Sequence, residues 1–325
     1  MTGDVWLPVP PDEIEGLPKG LNCHFWDGGE DGRTPYPADP ADCSFFVVPY
    51  LKQPSVKTGA LPLMRRLEVI QTLTAGVDDI LPALESVRPG VRLCNARGVH
   101  DASTAELALT LILASLRGVP DFVRAQDKGA WESGFRPALA DRTVLVLGYG
   151  SIGAAIEDRL LPFEVSRVIR VARSARVTDH GPVHALDELP GLLPEADVAV
   201  VATPLTEQTR HLVDRDFLSR MKDGALLVNI ARGAVVDTDA LLAELRSGRL
   251  GAALDVTDPE PLPEGHPLWH APGVLISPHM GGPSTAFRPR AERLLAAQLT
   301  RYAAGEPLEN VVLVLPGRSG ANQAG

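Results

Sequence analysis

Val144-Leu145-Val146-Leu147-Gly148-Tyr149-Gly150-Ser151-Ile152-Gly153 is the stretch on which the fold turns. Four consecutive apolar residues read as a strand buried on both faces, and the run stops at a glycine. A helical pattern follows at once, to about Leu161. Glycines at GxGxxG spacing are weak evidence alone, because glycine fills 30 of 325 positions. Their placement between a strand and a helix is what gives them meaning. Gly148 permits the tight turn, Gly150 lets the backbone approach a pyrophosphate, and Gly153 lets the helix pack close to the strand. The free N–H groups at the helix start then face phosphate oxygens. The bland alternative is a strand–turn–helix with no ligand.

Outward from this motif the alternation continues. Further strands are expected at residues 168–172, 197–201, 225–229, 252–255 and 274–276. A helix capped by Asp237 or Thr238 runs to Ser247, and Gly248 ends it. Such alternation implies a parallel, doubly wound α/β sheet. On the N-terminal side, strands at 5–9, 23–26, 45–48, 67–71 and 91–94 form a smaller α/β unit. Residues 27–42, rich in Gly, Pro and Asp, read as a long surface loop. Ser103-Thr104-Ala105-Glu106 looks like a capping box opening an apolar helix at 107–116, expected to be buried between domains. A last helix follows Ser284 to about Ala304, and the tail from Gly317 is too polar and small to pack.

The 325 residues exceed one ordinary core and suit two domains. Apolar residues make up 45% and charged residues 22%, the profile of a globular protein, and no run has the length of a membrane span. The net charge of −10 argues against nucleic-acid binding. Cys23, Cys43 and Cys94 have no metal-type spacing and read as reduced thiols, so no metal and a cytoplasmic location are expected.

The end of the second strand of the dinucleotide unit bears on the cofactor. An NAD site usually places Asp or Glu there, accepting from the ribose 2′-hydroxyl. Here stand Ala172-Arg173-Ser174-Ala175-Arg176. Two arginines suit a 2′-phosphate, so NADP is expected in preference to NAD; solvated surface charges are the alternative.

Three polar residues follow three later strands: Arg232, Glu260 and His279. The C-terminal strand ends of such sheets line the ligand crevice. There a guanidinium clamps a carboxylate and polarises a carbonyl, an imidazole carries a proton, and a carboxylate orients that imidazole and raises its pKa. Taken singly, each has an ordinary reading as a surface charge, a turn residue or a helix cap.

The chain resembles the D-isomer-specific 2-hydroxyacid dehydrogenase family. The resemblance rests on Ala75-Gly76-Val77-Asp78; Asn95 with Gly98; Thr104-Ala105-Glu106; the Gly148–Gly153 motif; Thr203-Pro204-Leu205-Thr206 with Thr209; Asn229 through Gly233; Gly251 through Val256 with Glu260-Pro261; His266-Pro267-Leu268; and Pro278-His279-Met280-Gly281-Gly282. It covers roughly residues 67–284, and the first sixty residues match weakly.

The resemblance implies hydride transfer between NAD(P)H and C2 of a small 2-keto or 2-hydroxy acid. It implies Arg232, Glu260 and His279 as the catalytic set. The backbone of Ala75, Gly76 and Val77 would bind the substrate carboxylate, together with Arg232 and His279. Gly148, Tyr149, Gly150, Ser151, Ile152 and Gly153 would hold the cofactor, with Arg173, Ser174 and Arg176 at its 2′ position. Thr104 and Asp255 would contact the nicotinamide, Thr203 and Pro204 would flank the adenosine half, and Thr209, Ala231 and Gly281 would also bind the cofactor. The implied fold is a Rossmann dinucleotide-binding domain (100–282) inserted in a flavodoxin-like substrate domain (1–99 and 283–325). A homodimer is implied, and closure of the two domains would exclude water.

Departures narrow the activity. Glu260 stands where the family's formate dehydrogenases have Gln, and Ala75 where its phosphite dehydrogenases have Lys. Arg97 is a single cation where phosphoglycerate would need several. His100 departs from the common pattern near the expected hinge and is read as a hinge polar residue or a substrate contact. The 172–174 strand end most resembles the NADPH-dependent glyoxylate/hydroxypyruvate reductases. A second class stays open: a dinucleotide-sensing, corepressor-like interaction protein on the same fold. An amino-acid dehydrogenase would want a lysine at the reacting carbon, and the matched motifs hold none.

Overall fold

The computed structural model describes residues 3–30 and 34–316. The chain divides into two compact units, with breaks after His100 and after Ser284. The first unit opens with β1 (Asp4–Leu7), β2 (Asn22–Phe25) and β3 (Cys43–Val47). A short helix α1 (Pro54–Thr58), then β4 (Val69–Gln71) and β5 (Arg92–Cys94), complete its N-terminal part. The second unit holds α2 (Asp101–Arg117), α3 (Val119–Asp127), β6 (Thr143–Leu147), α4 (Ser151–Leu160) and β7 (Arg167–Val171). It continues through β8 (Arg176–Thr178), β9 (Gly181–Val183), α5 (Leu189–Leu192), β10 (Val198–Val201) and α6 (Arg215–Arg220). It closes with β11 (Leu226–Asn229), α7 (Thr238–Ser247), β12 (Gly251–Leu254) and β13 (Val274–Ile276). The chain then re-enters the first unit as α8 (Phe287–Ala304) and β14 (Val311–Val314).

In the first unit the strand order is β14-β5-β4-β3-β1-β2. The strands β1 to β5 are parallel in the flavodoxin-like order, and β14 joins antiparallel at the β5 edge. One face of α8 packs on this sheet through Ala291, Leu295, Leu299 and Tyr302. Gln298, fully buried on the same helix, donates to Gln71 Oε1 at 2.8 Å and to Glu309 O at 3.0 Å, so burial costs it no lost hydrogen bond.

In the second unit the order is β13-β12-β11-β10-β6-β7, all parallel. Strands β6 and β10 are neighbours although β7 intervenes in sequence, which makes their C-terminal ends the point where the winding reverses. The near-continuous burial of β6, β10 and β11 explains their unbroken apolar sequences. The fold class expected from the sequence is the one observed.

One local expectation needs correction. Helix α2 starts at Asp101, so Ser103 is a buried residue of its first turn rather than a cap. Its Ala105, Ala108, Leu109 and Ile112 belong to the core of the second unit, which is why its apolar residues run almost continuously. The described part of segment 27–42 is the irregular loop expected, mostly exposed or half-buried, and Tyr36 within it packs 5.5 Å from Trp6 and 5.6 Å from Trp26, centroid to centroid. Helix α8 starts at Phe287. The tail from Gly317 lies outside the described residues. Helix α7 keeps its expected caps, with Asp237 accepting from Ala240 N and Gly248 left-handed at φ 72°. Among the described residues no single helix is long and apolar enough to cross a membrane.

Candidate active site

The C-terminal ends of the parallel strands in the second unit carry the polar residues singled out by sequence. The glycine motif leaves β6, and the N–H groups of Gly148 and Tyr149 both donate to Val171 O at the end of β7. Gly148 has φ 101°, and a Cβ there would lie 2.4 Å from Thr203 N, so no other residue fits. A Cβ on Gly153 would lie 2.9 Å from Gly148 O, which sets how closely α4 approaches the turn. Gly150 is the N-cap of α4, and a Cβ there would meet nothing within 4 Å. The motif is therefore a tight turn with open space over a helix N-terminus, a cradle that suits a pyrophosphate.

A charge network that sequence reading missed braces this cradle. Glu157 of α4 is buried, and it pairs with Arg170 of β7 and accepts from Tyr149 Oη at 2.5 Å. Burial and the Glu157 carboxylate both push the Tyr149 phenol far above its ordinary range. Arg170 also lies over the Tyr149 ring, 5.8 Å from its centroid. The available signal was an arginine inside a buried strand and a glutamate on a buried helix face, both costly unless paired. The guanidinium of Arg176, at the start of β8, donates to Tyr149 O. Arg173 and Ser174 lie exposed between β7 and that hairpin.

Arg232 follows β11. Asn229 staples its loop, donating to Arg232 O at 2.9 Å and accepting from Ala231 N at 3.0 Å. A Cβ on Gly233 would lie 1.9 Å from Thr257 O, so the loops after β11 and β12 meet with no room for a side chain. His279 follows β13 in the left-handed region at φ 57°, unusual for a residue other than glycine. Its N–H donates to Asp255 O at 2.8 Å. Buried Asp255 holds the rest of that loop, accepting from Ser277 Oγ, Met280 N and Gly281 N at 2.6, 2.7 and 2.9 Å. Thr104 Oγ1 donates to Gly281 O at 3.0 Å, so Thr104 and Asp255 position one loop together. Thr209 Oγ1 donates to Pro204 O at 2.6 Å and shapes the turn after Thr203.

The structure brings His279 and Glu260 into direct contact, Nδ1 to Oε1 at 2.6 Å. The hydrogen bond to Glu260, reinforced by its charge, raises the His279 pKa above the ordinary 6.5, against burial and Arg232, which lower it. Burial works to raise Glu260, but the His279 hydrogen bond and charge, Arg232 and a backbone donor hold it below its ordinary 4.5. Arg232 is thus electrostatically coupled to both members of the pair. It belongs to the same cluster, and its Nη1 donates to Ala231 O at 2.8 Å.

The remaining predicted residues lie in the first unit. Ala75, Gly76 and Val77 form a turn after β4, held by Asn95 Nδ2 on Ala75 O at 2.7 Å and Thr74 Oγ1 on Gly76 O at 2.6 Å. Their three successive N–H groups take no acceptor among the described residues. His100 Nε2 lies 2.7 Å from Leu73 O, and its ring stacks on Phe287. Among the described residues no cluster of His, Cys, Asp and Glu has metal-binding geometry.

Residues 109–281 match the family model described as D-isomer specific 2-hydroxyacid dehydrogenase, NAD binding domain. The human glyoxylate reductase/hydroxypyruvate reductase is 37% identical over 251 residues, which cover 74% of this chain and 76% of that protein. A glyoxylate reductase of Aeropyrum pernix is 32% identical over 320 residues, 94% of this chain and 93% of its own. Among solved structures, a D-isomer specific 2-hydroxyacid dehydrogenase from Xanthobacter autotrophicus Py2 in complex with NADPH and MES superposes with a TM-score of 0.78 at 30% identity. That match covers 96% of this chain and 98% of that one. The chain belongs to the D-isomer specific 2-hydroxyacid dehydrogenases, oxidoreductases that use a nicotinamide dinucleotide.

Proposed function

We propose that this enzyme reduces a small 2-keto acid of the glyoxylate or hydroxypyruvate type with NADPH, giving the D-2-hydroxy acid. The observation that carries the reading is the His279–Glu260 pair at 2.6 Å, with Arg232 coupled to both. A carboxylate can only accept, so Nδ1 of His279 bears a hydrogen towards Glu260 and Nε2 is left to carry the mobile proton. In reduction, imidazolium Nε2–H gives its proton to the C2 oxygen, and Glu260 stabilises the charged ring before that step. Arg232 takes the substrate's carboxylate and polarises its carbonyl. The family resemblance assigns a carboxylate-binding role to the N–H groups of Ala75, Gly76 and Val77 in the first unit. The bound nicotinamide supplies the hydride to C2.

The Gly148–Gly153 cradle would hold the pyrophosphate, and the 173–176 turn the adenosine ribose. Support for NADPH is that no carboxylate stands at 172–176 while Arg176 reaches back over the glycine turn to Tyr149 O. The glyoxylate reductase and glyoxylate reductase/hydroxypyruvate reductase relatives quoted above support the choice of substrate class. A homodimer fits the extended segment 130–138, where Trp131 is 96% exposed and Phe135 wholly so, apolar area that a second copy would cover. Three free thiols, two of them buried, suit a reducing cytoplasm.

Initial rates with NADPH and NADH against glyoxylate and hydroxypyruvate test this reading. Faster oxidation of NADPH with either acid supports it. Tight cofactor binding without turnover on any 2-keto acid would point to the sensing protein instead.

A further inference from the structure

On the first unit an open hollow of about 230 Å³ is lined by Arg97, Gly98, Val99, Arg290, Arg293 and Leu294. Arg290 and Arg293 are one turn apart on α8 and share a face. Arg97 comes from a different element, the turn after β5, so two independent segments contribute three arginines to the lining of one hollow. Acidic residues outnumber basic ones 41 to 31 in this chain. Even so, none of these three arginines has a carboxylate within ion-pair distance among the described residues. Of the acids nearby in sequence, Glu292 pairs with Arg288, and Asp101 accepts from Ser151 Oγ; Glu309 pairs with Arg301.

The frame is fixed from behind. Arg97 N donates to Asn95 Oδ1 at 3.2 Å, and Arg97 O accepts from Asn310 Nδ2 at 3.2 Å. Arg290 Nη1 donates to Ala286 O at 2.9 Å, which orients its fork. Gly98 has φ 95°, a Cβ there would meet nothing within 4 Å, and its N–H takes no acceptor among the described residues. Three arginines with no carboxylate partner line one hollow, and a multiply charged anion complements such a lining. Planar guanidinium forks suit phosphate and carboxylate oxygens, and three forks need more than one negative charge to satisfy.

We propose that this hollow is a binding site for a small anion carrying two or more negative charges, a phosphate ester or a polycarboxylate. Arg97–Val99 immediately precede His100, whose ring stacks on Phe287 at the start of α8, centroids 5.3 Å apart and planes 7° apart. Tyr50 covers the other side of Phe287 at 4.2 Å. The anion therefore braces the segment by which the chain leaves this unit against the helix by which it re-enters.

The test is isothermal titration of the full-chain protein, kept saturated with NADPH so that its own phosphate cradle is filled. The probes are pyrophosphate and citrate, with sodium chloride at equal ionic strength as control. One-to-one saturable binding of either probe, with none for chloride, is the expected result. The tighter of the two says whether the site takes phosphates or carboxylates. Arg293→Gln should weaken the probe about tenfold, and Arg97→Gln with Arg293→Gln about a hundredfold, while Arg293→Lys weakens it less than Arg293→Gln. Melting temperature and NADPH affinity report whether each variant is folded, and the single variant suffices if the double one is not. Absence of saturable binding, or binding undiminished in Arg293→Gln and in the folded double variant, would overturn the proposal.

Discussion

His279 Nδ1 lies 2.6 Å from Glu260 Oε1, and this one contact moves both titrations in opposite directions. With the His279 pKa raised above 6.5, the imidazolium persists to higher pH than in a free histidine. Reduction needs that proton, so kcat/KM for the keto acid should be high at low pH and fall as pH rises through the raised value. Glu260→Gln keeps the shape but removes the charge, and the alkaline limb should move to lower pH. An alkaline limb that stays in place would show that Glu260 does not set the proton affinity of His279.

The same pair contributes to stability within a window. A raised histidine stabilises the fold fully below its ordinary 6.5, and the contribution is lost as pH rises through the folded value. A lowered glutamate stabilises above its ordinary 4.5, and the contribution is lost as pH falls through its folded value. The melting-temperature difference between the native protein and Glu260→Gln should therefore be largest between about 4.5 and 6.5.

Loss of the imidazole should be felt in turnover rather than in cofactor affinity. His279→Ala should lower kcat by a factor of about 10²–10⁴, with NADPH binding by fluorescence titration nearly unchanged. Near-native turnover in that variant would remove His279 from the chemistry.

Arg176 donates to Tyr149 O, and Arg173 lies exposed on the turn before β8. Arg173→Ala should weaken NADPH more than NADH, and Arg176→Ala should do the same while also loosening the glycine turn. Equal loss for both cofactors in Arg173→Ala would sink the 2′-phosphate reading.

Glu157 and Arg170 make a largely buried ion pair under Tyr149. Glu157→Ala leaves the Arg170 charge uncompensated, with an expected cost of roughly 3–5 kcal/mol in urea unfolding. A change below about 1 kcal/mol would mean that solvent reaches Arg170 freely.

The sequence carried the parallel frame because β6, β10 and β11 are buried on both faces and so read as unbroken apolar runs. The glycine turn was legible because backbone conformation and close approach leave one residue type at Gly148. The β8–β9 hairpin was missed because its strands are three residues each, polar on one side and containing Gly181 and Pro182. Strand β14 was missed as an edge whose whole length is exposed. Ser103 looked like a cap because Ser and Glu at that spacing form one locally, but Asp101 and Ala102 extend the helix by two residues. The roles of Asn229 and Asp255 as staples depend on loops folding back on strand ends, which no local pattern announces.

Hydride transfer to C2 is most directly tested with NADPH carrying deuterium at C4 of the nicotinamide and hydroxypyruvate as acceptor. The expected product is D-glycerate with deuterium at C2, formed by the native protein and at a strongly reduced rate by His279→Ala. Product without deuterium at C2, L-glycerate, or no turnover with hydroxypyruvate or glyoxylate would contradict it.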